Sequence, residues 1–228
     1  MNPQEKRHFK TLLYEQFARM SRAMANPHRL ELLDVLAQGE RTVEALASET
    51  EMSIANTSQH LQTLRAARLV ETRRAGVSIY YSLAGEGVSQ LWLSLRTCGE
   101  QQLAEIERLV ATFLQDRATF RSITVDELRA ALQEERVILL DVRPREEYQA
   151  AHLPRARSIP LAELDTRLAE LPSDQEVVAY CRGPYCVFAD EAVTLLRARG
   201  YQARRLNEGV VEWRTRGLPL AIGKEQEA

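Results

Sequence analysis

The chain has 228 residues, a net charge of −2 at pH 7, 45% hydrophobic residues and 27% charged residues. This composition suits folded domains in water, and the length favours two small domains over one large one. The apolar runs are too short to span a bilayer and the N-terminus lacks the apolar core of a signal peptide, so we expect a cytoplasmic protein.

Four helices are predicted before residue 68, because apolar residues recur there at steps of three and four. Asn26 and Ser53 are residue types that cap helix starts, and Pro27 suits a first helical turn. The predicted helices begin near Phe9, at Pro27, at Thr42 and at Ile54, and the last extends to about Ala67.

A hairpin and a long helix are predicted next. Residues 69–83 hold two strand-like runs around Gly76. The helix is predicted from about Val88 to Gln115, with Gln102 in one position of its apolar series. It is about twice as long as one small core needs. We therefore expect its surplus apolar stripe to contact the first helix and a second subunit.

From Ile123 onward, helices alternate with short apolar strands. This alternation is typical of an α/β domain with a parallel sheet. Strands are predicted at residues 137–141, 177–180 and 203–206, and helices at 126–133, 162–171 and 189–199.

The fourth helix is predicted to have an apolar face and a polar face at 100° per residue. Amides such as Asn56 and Gln59 pair with adenine edges in the major groove, and hairpin arginines suit phosphate or the minor groove. Residues 53–80 hold four arginines against one glutamate. A polar face that only contacts solvent is the alternative. The candidate DNA-binding residues are Ser53, Asn56, Ser58, Gln59, His60, Thr63, Arg73 and Arg74.

Two segments carry a family resemblance: residues 25–33, ANPHRLELL, and residues 58–70, SQHLQTLRAARLV. Through them, residues 9–84 resemble the winged helix of ArsR-type metalloregulators. The resemblance implies a homodimer on a pseudo-palindromic double-stranded DNA operator, which it represses until an inducer binds. Arsenic- and cadmium-type members carry paired cysteines near the third helix, whereas residues 40–46 have none. His8, His28 and His60 are scattered, so we expect no metal and no cofactor.

Cys181 lies where an apolar strand meets a Gly-Pro turn and a following helix. Backbone N–H groups and a helix N-terminus favour a thiolate there, and Arg182 adds a nearby positive charge for an anion. Asp141 and Arg143 are predicted to form a structural ion pair or to hydrogen-bond the loop, instead of taking part in chemistry.

The matching segments of the second half are 140–148, LDVRPREEY; 151–156, AHLPRA; Ile159-Pro160; the Cys181 loop; Gly200-Tyr201; and 208–213, EGVVEW. In that order they make residues 122–220 similar to a rhodanese domain. The resemblance implies that Cys181 accepts sulfane sulfur as a persulfide and passes it to an acceptor thiol or to cyanide.

The other two cysteines are redox candidates. Tyr185 and Cys186 stand late in the loop, where many rhodaneses have a cationic or hydroxyl residue. Cys186 is predicted to resolve a Cys181 persulfide or sulfenate into a disulfide. Cys98 on the long helix is the thiol of the regulatory half. The alternative for both is a small buried side chain. Counting back from Gly200 predicts a loop about two residues longer than the family's common six.

Together these patterns predict two domains, a mainly α winged helix-turn-helix followed by an α/β rhodanese-like domain with a central parallel sheet. The boundaries are 1–115, a linker at 116–121, 122–221, and a disordered tail at 222–228. We expect a repressor that senses reactive sulfur or redox state through Cys181, with DNA, a second copy and a sulfur donor or acceptor thiol as partners, and no membrane. The alternatives are a sulfurtransferase tethered to DNA, a rhodanese domain that is only a binding scaffold, and a regulator that responds to arsenate or metalloids.

Overall fold

The computed structural model describes residues 1–114, 117 and 120–223. The chain divides into two compact units, Met1–Thr97 and Cys98–Ala228. Three residues of the predicted linker, 116, 118 and 119, and most of the predicted tail, 224–228, lie outside the described residues. Within the described ranges, the helices are too short or too polar to cross a membrane.

The four helices predicted at the start of the chain are confirmed. Asn26 Oδ1 accepts a hydrogen bond from Arg29 N at 3.2 Å, and Ser53 Oγ accepts one from Asn56 N at 3.3 Å, as caps do. The first helix begins earlier than predicted because Asn2 and Glu5 form a capping box. The helices are α1 (Pro3–Met24), α2 (Pro27–Ala37), α3 (Val43–Glu49) and α4 (Ile54–Ala66).

The predicted hairpin is confirmed as strands β2 (Val70–Ala75) and β3 (Ser78–Leu83). Gly76 takes a φ of 61° in the turn, a conformation that favours glycine. A two-residue strand, β1 (Arg41–Thr42), pairs antiparallel with β3. Two residues are too few to show a strand period, so the sequence did not reveal it. The core between hairpin and helices includes Leu32, Leu33, Leu46, Leu61, Leu64 and Leu69.

The single helix predicted from Val88 to Gln115 is wrong. The structure has α5 (Glu86–Gln102) and α6 (Ala104–Phe113), separated by Leu103 in an extended conformation (φ −112°, ψ 95°). The break follows Gly99, a weak helix former, and Gln102, the polar residue in the apolar series. Gln115 lies outside the described residues.

The second unit contains a four-stranded parallel sheet in the order β5-β4-β6-β7. Helices cover both faces, so β4 is buried along its whole length. The strands are β4 (Val137–Asp141), β5 (Arg157–Ser158), β6 (Glu176–Tyr180) and β7 (Ala203–Arg205). The helices are α7 (Val125–Gln133), α8 (Arg145–Ala150), α9 (Leu161–Leu164), α10 (Phe188–Ala198) and α11 (Val210–Thr215).

The helix predicted at 162–171 is two short pieces, α9 and a 3-10 turn at Leu168–Glu170. Between them, Thr166 Oγ1 donates a hydrogen bond to Glu163 O at 2.8 Å. Such local bonds from threonine compete with helix continuation.

A buried ion pair lies at the carboxyl end of β4. Arg143 Nη2 is 2.6 Å from Asp141 Oδ2, and neither side chain is exposed. Tyr180 Oη, at the end of β6, donates to Asp141 Oδ2 at 2.5 Å. Burial, together with the negative charge of Asp141, raises the pKa of Tyr180 well above its usual value, so the phenol stays a donor. The pair is structural, as the sequence indicated.

We predict that Asp141→Asn destabilises the second unit by about 3 kcal/mol or more, because it removes the nearest counter-charge of the buried Arg143 cation and leaves Glu147, which is 3.9 Å away and is also paired with Arg182. Urea unfolding of the full chain measures this. Asp165→Asn is the matched control, since Asp165 pairs with Arg199 at 2.7 Å where both side chains are half exposed. Its effect is expected to stay below about 1 kcal/mol. Equal losses in the two variants would contradict the prediction.

Candidate functional site

The polar face predicted on α4 is exposed. Asn56, Gln59 and Thr63 face solvent, while Ser58 and His60 are half-buried. On the opposite side Thr57, Leu61 and Leu64 are buried. Ile54, predicted on the apolar side, is 53% exposed. It is the first helical residue and lies before the turn that meets the core.

The hairpin arginines differ in their contacts. Arg73 Nε donates to Glu40 Oε2 at 3.1 Å, and its guanidinium lies 5.1 Å from the centre of the Tyr80 ring. This hydrogen bond from Arg73 lowers the pKa of Glu40. Arg74 Nε donates to Gly76 O at 3.2 Å. Arg73 is therefore paired with the carboxylate of Glu40, whereas Arg74 lies at the turn of the hairpin.

His60 packs beside His28, with ring centres 5.6 Å apart. Burial lowers the pKa of His60, and the positive charges of Arg29 and His28 lower it further. The ring is therefore neutral at pH 7 and offers one donor and one acceptor. In the described part of the chain, no three His, Cys, Asp or Glu side chains are placed to hold a metal ion.

The second candidate site is the loop between β6 and α10, residues 181–187, called here the Cys181 loop. Cys181 is 1% exposed and Cys186 is half-buried. The two form a disulfide, with their Cα atoms 6.1 Å apart. The loop has seven residues, one fewer than the sequence count predicted. Helix α10 begins at Phe188, one residue earlier than predicted.

Arg182 is directed at a carboxylate. Its Nη2 donates to Glu147 Oε1 at 2.6 Å, and its Nε lies 3.1 Å from each oxygen of the same group. Glu147 is buried and also lies 3.9 Å from Arg143 Nη1. The positive charge that the sequence assigned to an anionic substrate is thus largely compensated within the protein.

Arg205, at the end of β7, lies beneath the Cys181 loop. Its Nη2 donates to the carbonyl oxygens of Gly183 at 3.0 Å, Pro184 at 3.1 Å and Cys186 at 3.4 Å. The side chain is 1% exposed. Burial lowers the pKa of Arg205 to about 10, so the group stays charged at neutral pH. Sequence reasoning missed it, because it stands in an ordinary strand pattern and its only signal is a charge at a strand end.

Two further residues complete this cluster. Asp190 on α10 has its Oδ1 3.2 Å from Arg205 Nε. Arg117 places Nη2 2.5 Å from Asp190 Oδ2, and its Nη1 donates to Pro184 O. Arg117 belongs to the predicted linker, which the sequence gave no role. It contacts the Cys181 loop directly.

The tip of the loop contacts α5. Tyr185 Oη donates to Glu100 Oε1 at 2.8 Å, and both residues belong to the second unit. Cys98, two positions before Glu100, is an exposed free thiol. Tyr185 at the surface of the loop therefore contacts the helix that carries the third cysteine.

Gly209 approaches the loop backbone closely. A Cβ built on it would lie 2.7 Å from Cys181 O and closer still to Arg182 O. Those neighbours are backbone atoms, which cannot move aside as a flexible side chain does. Gly209 thereby fixes the distance between the start of α11 and the Cys181 loop.

Comparison with known proteins matches both halves. The family described as bacterial regulatory protein, arsR family, matches residues 26–72, and the rhodanese-like domain family matches residues 124–216. The chain is 46% identical to the HTH-type transcriptional regulator Rv0324 of Mycobacterium tuberculosis over 94% of each chain. It is 32% identical to a sulfurtransferase of Allochromatium vinosum, over 38% of this chain and 79% of the relative.

A solved structure also resembles the first half. The homodimeric winged helix-turn-helix DNA-binding domain (fragment 1–100) of Mb0332 from Mycobacterium bovis is 45% identical. The match covers 41% of this chain and 87% of that fragment, with a TM-score of 0.40.

We predict that Gly209→Ala disturbs the Cys181 loop and destabilises the protein by about 1–3 kcal/mol, because the added methyl overlaps loop backbone. Thermal unfolding measures the stability of the protein, and the alkylation rate of Cys181 in the reduced protein reports on the conformation of the Cys181 loop. Gly87→Ala on α5 is the control, since a Cβ there meets nothing within 4 Å. Wild-type alkylation and stability in Gly209→Ala would refute the close approach.

Proposed function

The chain belongs to the HTH-type transcriptional regulators that join an arsR-family DNA-binding domain to a C-terminal rhodanese domain, and from that premise we propose that it represses an operator and senses sulfane sulfur at Cys181. The proposal rests on one observation above all. Cys181 and Cys186 lie within bonding distance in a loop that follows a buried strand and precedes a helix. An operator-binding protein works where the chromosome is, so we infer a cytoplasmic location.

The exposed amides of α4 support a major-groove contact. Asn56 and Gln59 face solvent on a helix whose other side is fixed in the core. Helices inserted in the major groove present amides of this kind to adenine. Arg73 and Arg74 on the hairpin would neutralise phosphates, which adds affinity without sequence preference.

Exposed apolar side chains support a homodimer. Single scattered apolar residues are normal on a surface, but stripes of large ones mark interaction sites. On α1, Phe9 is 56% and Phe17 is 55% exposed, and on α6 Phe113 is 78% exposed. A second copy would cover these stripes, and an operator with two half-sites requires two recognition helices. The other exposed members are Leu12, Leu13, Tyr14, Leu91, Leu95, Leu103 and Leu109.

Sulfur uptake would proceed as a displacement on a donor such as thiosulfate. The Cys181 thiolate attacks the sulfane sulfur, the sulfur–sulfur bond of the donor breaks, and sulfite leaves with the electron pair. Cys186 thiolate then attacks Cys181 Sγ, and the outer sulfur leaves as hydrosulfide. Both thiols are oxidised to the disulfide while the sulfane sulfur is reduced to sulfide. The short separation of the two cysteines supports the second step.

The signal would reach DNA through the residues that touch the loop. Tyr185 donates to Glu100 on α5, and Arg117 donates to Pro184 O. A chemical change at Cys181 and Cys186 alters the loop between these contacts. Operator affinity changes only if the two loop states differ in stability on DNA, and a hundredfold change corresponds to about 2.7 kcal/mol.

We predict that Gln59→Ala relaxes base preference at one operator position, losing about 1–3 kcal/mol of discrimination, because a bidentate amide contact is removed. Binding to the region upstream of the protein's own gene, and to single-base variants of it, measures this. Gln90→Ala, an exposed amide on α5, is the matched control and should bind as wild type.

Arg73→Ala supplies the contrast in the same assay. Removing a phosphate contact should weaken all sequences alike and reduce the slope of log affinity against log salt by about one. Unchanged affinity and selectivity in both Gln59→Ala and Arg73→Ala would refute the assignment of this face.

We predict that a persulfide donor changes operator affinity of the wild type and not of Cys181→Ser, because the sulfur enters at Cys181. Mass spectrometry should find the added sulfur on Cys181 when Cys186→Ser blocks the second step. The assay compares DNA binding before and after donor treatment in the wild type, Cys181→Ser, Cys186→Ser and Cys98→Ser.

The same variants separate the alternatives. A wild-type response in Cys181→Ser would show that the rhodanese domain is not the sensor, and loss in Cys98→Ser alone would place sensing on α5. Fast thiosulfate:cyanide turnover without any change on DNA would favour a tethered sulfurtransferase. Release of operator by arsenite or arsenate, but not by the donor, would favour the metalloid-responsive alternative.

A further inference from the structure

Arg205 donates from Nη2 to one side of the Cys181 loop, while its Nη1 donates to Asn207 Oδ1 at 2.8 Å. Three carbonyl oxygens, those of Gly183, Pro184 and Cys186, accept from its Nη2. A buried guanidinium loses its hydration, so these carbonyls take the place of water around it. These three carbonyl oxygens of the loop therefore point toward Arg205 at the end of β7.

The orientation of a carbonyl also fixes the N–H of the same peptide unit. Peptide bonds of the described residues are trans, so each C=O and the following N–H point in opposite directions. Turning the carbonyls of Pro184 and Cys186 toward Arg205 turns the N–H groups of Tyr185 and Val187 away from it. The N–H groups of Tyr185 and Val187 therefore point to the side of the loop opposite Arg205. The disulfide between Cys181 and Cys186 closes this loop.

The charged side chains beneath the loop carry a net positive charge. Arg205 and Arg117 carry two positive charges, and Asp190 between them carries one negative charge. Burial and the nearby Arg117 charge lower the pKa of Arg205, and Asp190 opposes this, so the side chain remains a cation at neutral pH. The cluster keeps one net positive charge next to the nucleophile loop, which favours an anion there.

We propose that Arg205 is the positioning residue of the sulfur site: by holding the carbonyls of Pro184 and Cys186, it directs the N–H groups of Tyr185 and Val187 at the thiolate or persulfide of Cys181. The inference rests on the proposed function for the identity of the anion. Arg205 touches no reacting atom and acts through the loop, with Asp190 and Arg117 setting its position. Arg182, which pairs with Glu147, does not serve this purpose.

The experiment measures the thiol of Cys181 in the reduced full-length protein carrying Cys186→Ser. The alkylation rate of the Cys181 peptide is followed by mass spectrometry across pH in three added variants: Arg205→Met, Arg205→Lys and Arg204→Met. Arg204 is the matched control, the preceding strand residue, whose Nη2 bonds Glu176 at 2.7 Å on the surface side.

Arg205→Met is expected to raise the midpoint of the pH dependence of Cys181 alkylation by about one pH unit relative to the parent, which is the Cys186→Ser protein. This shift is a tenfold loss of thiolate at a given pH below the midpoint, and sulfur uptake from thiosulfate should slow similarly. Arg205→Lys keeps the charge but lacks the planar fork, so its midpoint should lie between Arg205→Met and the parent. Arg204→Met should match the parent.

Parent-like midpoints in both Arg205 variants would overturn the proposal, whatever their melting temperatures. If Arg205→Met does not fold, Arg205→Lys decides: a raised midpoint in a protein that melts as the parent supports positioning, and an unchanged one refutes it. The alkylation readout needs no sulfur donor. If the parent takes up no sulfur while the midpoints still shift, the proposed function fails and the role of Arg205 stands.

Discussion

Charged side chains lie buried at the carboxyl edge of the parallel sheet, and the second unit is organised by the need to compensate them. Arg143 is neutralised by Asp141 at the end of β4. Arg205 at the end of β7 is compensated by Asp190 and by loop carbonyls. A buried ion without a partner costs several kcal/mol, so each of these contacts restricts where the chain can run. Since the strands are parallel, all of these ends meet at one edge, and the Cys181 loop is built on them.

This arrangement explains how the buried Cys181 is held in a defined place. Cys181 leaves the buried strand β6, and the loop after it is fixed from below by Arg205 and from the side by the close approach of Gly209. Its outer surface is held by Tyr185 through Glu100. The loop is thus bounded by contacts from β7, α11 and α5. A change in its covalent state would alter contacts that belong to separate parts of the chain.

In the first unit, the side chains of interest are the ones left exposed on the surface. Helix α4 commits Leu61 and Leu64 to the core and leaves Asn56 and Gln59 on the surface without packing partners that would hide them. The apolar stripe on α1 remains exposed in the single chain, as does the stripe on α6 of the second unit. A polar face of this kind suits a nucleic acid, whereas an apolar stripe suits a second protein surface. The two surfaces therefore call for different partners.

The sequence by itself determined the local elements, because caps such as Asn26 and Ser53, helical spacing and strand runs act over a few residues. It also placed Cys181 at a strand-to-helix turn, since that signal is local. It missed the break at Leu103, although Gly99 and Gln102 just before it are weak points of the helical pattern. Only the tertiary structure decided that Arg205 and Arg117 meet the Cys181 loop, since these residues lie far apart in the chain. Whether a charge is buried depends on which groups the fold brings to it, and no local pattern records that.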